Sequence, residues 1–229
     1  ATKWLFNRDV LRGFEGGWEA TTNFDMPERD LIRLALISAA MDACNAQKDG
    51  KCLRYRKYWK DLSFNRDIFL TNFAMYSGQI LQDLELVPIK EVCGSIKLKD
   101  ARCVDDLDKH TKFHLCVTSP PCLNSFDFSD IYRPKLFLEK FVTSNSKLQL
   151  IRHKTLRSHV QVNWAKPIQN CFGETYNSIF EQITQRSHLM WNKRLPMMIQ
   201  AYFEDTMLVL QNLRMMAHDN AVLWLVVST

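Results

Sequence analysis

The sequence predicts an α/β fold, all-helical over residues 1–93 and with short strands set between helices over 94–229. Three observations lead there. Phe113-His114-Leu115-Cys116-Val117 is a short apolar run of the kind that forms a buried parallel strand. Ala221-Val222-Leu223-Trp224-Leu225-Val226-Val227 is a second such run, and it follows a helical stretch that opens at Pro196. Before residue 94, by contrast, the apolar residues recur at helical spacing.

Taken in order, Trp4 to Trp18 is amphipathic and is expected to end in a loop at Gly16-Gly17. Asp25, Pro27 and Glu28 together form a helix start: a capping carboxylate, a proline in the first turn and an acid at the positive end of the dipole. The helix runs through Leu31, Leu34, Leu36, Ile37, Ala40 and Met41, apolar nearly all round and so expected to be buried, and Asp49-Gly50 breaks it. A second helix is expected over Asn65 to Leu86, where Phe69, Phe73, Tyr76, Ile80 and Leu84 mark a core face. Between the two, Lys51, Arg54, Arg56, Lys57 and Lys60 interleave with Tyr55, Tyr58 and Trp59. That composition contacts phosphates and stacks on bases. It equally suits a solvated loop whose aromatics tuck into the helical layer.

Ser95-Ile96-Lys97-Leu98-Lys99 alternates and reads as a strand ending at Asp100. Pro120 and Pro121 stop the strand that begins at Phe113 and remove two backbone donors in a row. Ser119 to Cys122 is then a stiff loop at the carboxyl end of a strand, where open α/β sheets place their ligands. Ser-Pro-Pro by itself is a common turn. Pro134 to Phe141 continues as a helix with Leu136, Phe137 and Phe141 inward. Residues 144–191 form a polar, basic insertion carrying Arg152, His153, Lys154, Arg157, Ser158 and His159. These donors suit phosphate oxygens, or else they are the ordinary charges of a surface loop. The helix opened by Pro196 turns Ile199, Tyr202, Phe203, Leu210 and Leu213 inward, and Ala217 to Asn220 reads as a turn.

Composition narrows the classes. A chain of 229 residues suits one large domain, or a domain with an insertion. A net charge of only +5 means that any nucleic-acid affinity must come from local patches. Seven cysteines without a C-x-x-C pair argue for free thiols in a reducing cytoplasm, and the six histidines show no zinc spacing, so no metal is expected. The apolar runs, Leu31 to Ala43 and Ala221 to Val227 among them, are too short for a membrane span, and Ala1 to Trp18 does not read as a signal peptide.

Val117-Thr118-Ser119-Pro120-Pro121-Cys122-Leu123-Asn124-Ser125, with its continuation Phe126-Asp127-Phe128-Ser129-Asp130-Ile131-Tyr132-Arg133, resembles the catalytic region of the DNA amino-methyltransferases. Their loop reads Asp, Asn or Ser, then Pro-Pro, then an aromatic residue. Ser119 in the first position looks most like the N4-cytosine branch, with N6-adenine the other possibility. Leu156-Arg157-Ser158-His159 is similar to a sequence that family often shows. The likeness covers roughly residues 94–229 and departs at Cys122, where the family has Tyr, Phe or Trp.

The resemblance implies that residues 94–229 are the central part of a Rossmann-like, S-adenosylmethionine-dependent methyltransferase sheet, interrupted by the insertion at about 144–191. Residues 1–93 would be an insertion or a target-recognition or assembly region. It implies methyl transfer to an exocyclic amine of duplex DNA, in restriction-modification or defence. Ser119 and the Pro120 carbonyl would accept hydrogen bonds from the amine, and Pro121 would stiffen the loop. Cys122 would stand at the base-stacking position, with Phe126 or Phe128 supplying the ring instead. Asp100 and Thr118 would face the cofactor, although a turn aspartate capping the next residues is an equal reading of Asp100. Arg54, Arg56, Lys57, Arg152, Lys154, Arg157 and His159 are the candidate DNA contacts. The sequence lacks the family's glycine-rich cofactor turn and shows fewer strands. It is therefore expected to be an internal piece of a longer protein, or half of a split one, with the cofactor loop in the remainder or in a second subunit. Two other readings stay open: a catalytically lapsed methyltransferase fold that binds DNA or partner proteins, and C5-cytosine chemistry through Cys122. The latter rests on Pro121-Cys122, which echoes the Pro-Cys nucleophile of that separate family.

Overall fold

A computed structural model describes residues 3–50, 52–87, 94–103, 112–123 and 127–227. The fold is mixed α/β and consists of two compact units. The first comprises Ala1–Gly94 and Phe128–Ser144, the second Ser95–Asp127 and Asn145–Thr229. None of the described helices is long and apolar enough to cross a membrane.

The first unit holds α1 (Arg8–Ala20), α2 (Glu28–Asp42), strands β1 (Ala46–Asp49) and β2 (Cys52–Tyr55), α3 (Arg66–Leu86), and the short helices α4 (Phe128–Ile131) and α5 (Arg133–Leu138). Val10 and Phe14 of α1, Leu36 and Ala40 of α2, Phe69 of α3 and Leu138 of α5 close one apolar core. The expected helix over Asn65 to Leu86 is present, and Asn65 caps it by accepting the Ile68 N–H at 3.0 Å.

Several local expectations fail here. Pro134 to Phe141 is not one helix with Phe137 and Phe141 inward: α5 ends at Leu138, and the two rings are 44% and 62% exposed. Residues 1–93 are not all-helical, because β1 and β2 pair antiparallel from Ala46↔Tyr55 to Asp49↔Cys52. Asp49-Gly50 does not break a helix: Asp49 is the last paired residue of β1, opposite Cys52, and Gly50 begins the hairpin turn with φ +58°, a conformation glycine adopts without strain. The Asp25 carboxylate does not cap α2: the N-cap is Pro27 with no side-chain cap bond, and Asp25 contributes only its carbonyl, which accepts the Arg29 N–H at 2.9 Å. Helix α2 buries one side only, and Leu34 remains 54% exposed.

Gly16-Gly17 does not end α1 either. The helix runs through both residues, and at Gly17 a Cβ would lie 2.7 Å from Leu36 Cδ2. The glycine serves close helix packing, not a turn. Nothing lies within 4 Å of a Cβ built on Gly16. Opposite signs are therefore expected. Gly16→Ala should stabilise by about 0.5–1 kcal/mol through helix propensity. Gly17→Ala should lose more to overpacking, about 1–3 kcal/mol, than the same propensity returns. Equal shifts in the unfolding midpoints of the two variants would refute this account of α1 packing.

The second unit is built on β3 (Phe113–Thr118) and β4 (Ala217–Leu225), which pair in parallel, with helices α6 (Asn145–Lys154), α7 (Glu174–Gln185) and α8 (Leu195–Met216). Both strands were expected, but Ala217 to Asn220 is not a turn. Phe113 pairs with Ala217 and Leu115 with Val222, so residues 218–221 are a bulge within β4. Ser95 to Lys99 forms no strand. Ile96 and Leu98 are fully exposed, and β3 pairs only with β4 among the described residues, so this alternating stretch has no ladder to join. Helix α8 borders the sheet face that carries Thr118 and Leu225. On the other face Leu115, Val117, Val222 and Trp224 are half exposed or more, which is not the full burial expected of these strands.

Candidate active site

The Ser119-Pro120-Pro121-Cys122 loop leaves the carboxyl end of β3 as the resemblance implies. The ladder continues one step past Thr118, whose carbonyl accepts the Val226 N–H at 2.9 Å. The Ser119 hydroxyl then donates to the Val226 carbonyl at 3.1 Å. This bond spends the hydroxyl's single proton and leaves its lone pairs to accept. At the far end of the loop, Tyr202 Oη of α8 donates to the Pro121 carbonyl at 2.8 Å. Burial holds the Tyr202 phenol above its ordinary pKa, so it remains a donor at neutral pH. Ser119 to Pro121 and Thr118 line a cleft of about 140 Å³, walled by Ala101, Leu156 and Leu225 and floored by Val209, Leu210 and Leu213 of α8. Cys122 is half-buried. Phe126 lies outside the described residues. Phe128 opens α4 in the first unit and is 49% exposed.

Beside the cleft, five charges lock its walls to α8. Asp205, 2% exposed, accepts the Arg157 backbone N–H at 2.9 Å, Arg157 Nη2 at 2.7 Å and Nε at 3.1 Å, and Arg102 Nη1 at 3.1 Å. Glu204 Oε2 takes Arg157 Nη2 at 2.5 Å, and its Oε1 accepts the N–H groups of Ile168 and Gln169 at 2.8 Å each. Asp100 receives Arg102 Nε at 3.0 Å and Nη2 at 2.7 Å, together with the Arg102 backbone N–H. The turn-aspartate reading of Asp100 is therefore what the geometry displays, and its carboxylate is engaged by Arg102. Asn212 Nδ2 donates to the Ala101 carbonyl at 3.0 Å and fixes the same turn from α8.

The basic residues singled out in the sequence divide sharply. Arg157 is held within the network, its side chain only 12% exposed. Arg152 is buried in an ion pair with Asp127. The Lys154 carbonyl accepts Arg102 Nη2 at 3.3 Å, while the residue itself is exposed. His159 is 2% exposed. Its Nε2 lies 3.2 Å from Thr155 Oγ1, and its carbonyl takes the Trp164 indole N–H at 2.6 Å. Leu156 to His159 is thus an internally tied turn.

In the first unit, Arg56 is a staple: its guanidinium donates to the Cys44 carbonyl at 2.8 Å and to Gln47 Oε1 at 2.9 Å, and it lies over the Phe64 ring. Tyr55 and Trp4 pack on Trp59, with ring centroids at 5.0 and 4.6 Å. Arg54, with a side chain 71% exposed and paired to Asp49 at 3.1 Å, faces solvent with Lys57, which lies over exposed Tyr58.

Sequence reasoning missed Asp205, Glu204 and Arg102, and placed Tyr202 only as a core residue. The available signal was Tyr202, Asp205 and Thr206 at i, i+3 and i+4, polar side chains that continue into the apolar stripe Val209 and Leu213. Polar groups on the inner stripe of a helix need partners there. Among the described residues no three His, Cys, Asp or Glu side chains converge on a metal position, and the six described cysteines are free thiols. Compared with family models, curated proteins and solved structures, the chain matches none of them.

Proposed function

We propose that the second unit carries the base-facing half of a DNA amino-methyltransferase site, with N4 of cytosine the favoured target and N6 of adenine the other, and that β3 and β4 are central strands of a larger Rossmann-like sheet. The observation that carries this reading is the orientation of Ser119. Its proton is given to the Val226 carbonyl at 3.1 Å, so its lone pairs are free to accept an amine N–H beside the Pro120 carbonyl. The Pro121 carbonyl is occupied by Tyr202, which leaves the second acceptor role to Pro120. An exocyclic amine is a poor nucleophile because its lone pair is delocalised into the ring. Two acceptors on its hydrogens raise electron density at nitrogen and orient it for attack. The base must first leave the duplex, at a cost of a few kcal/mol.

S-adenosylmethionine would supply the electrophilic methyl group. The described residues do not fit the whole of it. The cleft of about 140 Å³ is smaller than the usual range for cofactor pockets. Asp100, nominated as a cofactor contact, is engaged by Arg102, and no glycine-rich turn follows a described strand. Thr118 lines the cleft and Asp100 does not. The described chain thus supports the amine-binding role and not the cofactor-binding one. The same commitment of Asp100, together with Cys122 in the stacking position, favours as second reading a lapsed methyltransferase fold that binds DNA or partner proteins.

The test is methyl transfer from labelled S-adenosylmethionine to duplex DNA by the full-length protein, followed by nucleoside analysis. N4-methylcytosine or N6-methyladenine is the expected product, and no incorporation into any duplex would overturn the proposal in favour of the lapsed fold. For the DNA partner, Arg54→Ala and Lys57→Ala should each weaken binding and reduce the salt slope by about one unit, the share of one phosphate contact. Arg157→Ala and Arg56→Ala should act on stability and leave that slope unchanged, because their guanidiniums are bonded internally. Identical slopes in wild type and both exposed variants would remove the β2 segment from the DNA interface.

A further inference from the structure

Pro120 and Pro121 carry no N–H, so this part of the loop has no backbone donor with which to hold itself in place. Its anchoring falls to hydrogen bonds with other elements. One is Ser119 Oγ to the Val226 carbonyl, at the strand end of the loop. The other is Tyr202 Oη to the Pro121 carbonyl at 2.8 Å, from α8. The helix at that point is itself fixed. Asp205, three residues on, is bonded to Arg157 and Arg102, and the Tyr202 ring meets Phe203 edge-on at 5.8 Å. A tyrosine has only two side-chain torsions, so a half-buried phenol at this place is a stiff tether.

We infer that Tyr202 is a positioning residue of the Ser-Pro-Pro loop: its hydroxyl holds the Pro121 carbonyl and so fixes the directions in which Ser119 Oγ and the Pro120 carbonyl present their lone pairs. The link to catalysis rests on the amino-methyltransferase reading; the tether itself does not. Acceptors aimed at one amine act through orientation, and a misplacement of about 1 Å is enough to cost on the order of 100-fold in rate.

The experiment is Tyr202→Phe in the full-length protein, which deletes the hydroxyl and keeps the ring. Two readouts are taken beside the melting midpoint. The first is the alkylation rate of Cys122, the next residue of the loop, resolved by peptide mass spectrometry with exposed Cys171 as internal reference. The second is the kcat and KM for methyl transfer. The expected result is a Cys122 rate raised about 2- to 10-fold, the factor one lost hydrogen bond sets. Cys171 should be unchanged, kcat should fall by roughly 10- to 100-fold, and KM should stay within about two-fold. An unchanged Cys122 rate overturns the inference. So does a rise at both cysteines with a lowered melting midpoint, which would be general loosening, and so does a raised Cys122 rate with kcat intact. A raised Cys122 rate in a protein whose wild type transfers no methyl group leaves the tether standing and sinks the methyltransferase reading instead.

Discussion

Asp205→Ala is expected to cost the second unit about 3 kcal/mol, the lower end of the range for breaking a buried ion pair. The carboxylate is 2% exposed and takes four donors from two arginines whose side chains are 12% and 18% exposed. Removing it leaves both guanidiniums largely out of water. The loss stays at the low end because Glu204 still holds Arg157 and Asp100 still holds Arg102. A double-mutant cycle separates this from simple loss of contacts: Asp205→Ala with Arg157→Ala should cost less than the sum of the singles, by about 0.5–3 kcal/mol. Peptide-resolved hydrogen exchange in denaturant reads the second unit alone. A loss within about 0.5 kcal/mol, the scatter of ordinary surface substitutions, would deny the network its structural role.

The same network predicts an acid limit. Hydrogen bonding from Arg102 holds the Asp100 carboxyl below its ordinary pKa, against an opposing effect of burial. For Glu204, burial pushes the carboxyl up, but the Gln169 N–H, the Arg157 guanidinium and the Ile168 N–H together bring it below the usual range. Both groups titrate lower in the folded state than in the unfolded chain. Their contribution is therefore fully present above about pH 5, where the unfolded carboxyls are ionised too, and is lost as pH falls through the unfolded and then the depressed values. Protection of the second unit should decline with acid over that window, and Asp100→Asn with Glu204→Gln should flatten the decline.

What the sequence made legible follows from which signals are local. The strand before Pro120, the helix over Asn65 to Leu86 and the helix opened by Pro196 each declare themselves within their own residues, by apolar run, cap or proline. The β1–β2 hairpin was missed because Asp-Gly ends helices as readily as it turns hairpins, and the strands it joins are only four residues each. Gly16-Gly17 misled for the opposite reason: the cause of the glycine is Leu36 on another helix, invisible to any window along α1. Ser95 to Lys99 alternated correctly for a strand and formed none, since a strand is defined by its neighbour. The candidate site divides the same way. The Ser-Pro-Pro loop was legible because proline chemistry is local. The bonding of Arg157 to Asp205, 48 residues away, was not, and a basic residue read as a phosphate contact turned out to be a structural bond.

On the proposed amino-methyltransferase reading, Ser119→Ala should lower methyl transfer by roughly 100- to 1,000-fold, the usual cost of removing one group that stabilises developing charge. It should do so through kcat, because the acceptor matters most as the amine attacks. Cys122 then separates the chemistries. In amino-methylation the residue after Pro121 only packs on the flipped base, so Cys122→Ser should retain transfer. Cys122→Tyr should keep or improve it, because an aromatic ring there adds about 1–3 kcal/mol of stacking. In C5-cytosine chemistry the thiolate adds to the ring and must later be eliminated, so Cys122→Ser would abolish turnover, and 5-fluorocytosine DNA would trap the wild type covalently. The geometry favours the first outcome. Ser119 is oriented by Val226 as an acceptor, a group that amine chemistry needs and that ring addition by a thiolate does not. A covalent protein–DNA adduct lost in Cys122→Ser would reverse that choice. Transfer that survives Cys122→Ser and falls in Ser119→Ala would establish Ser119 as the working residue of the loop.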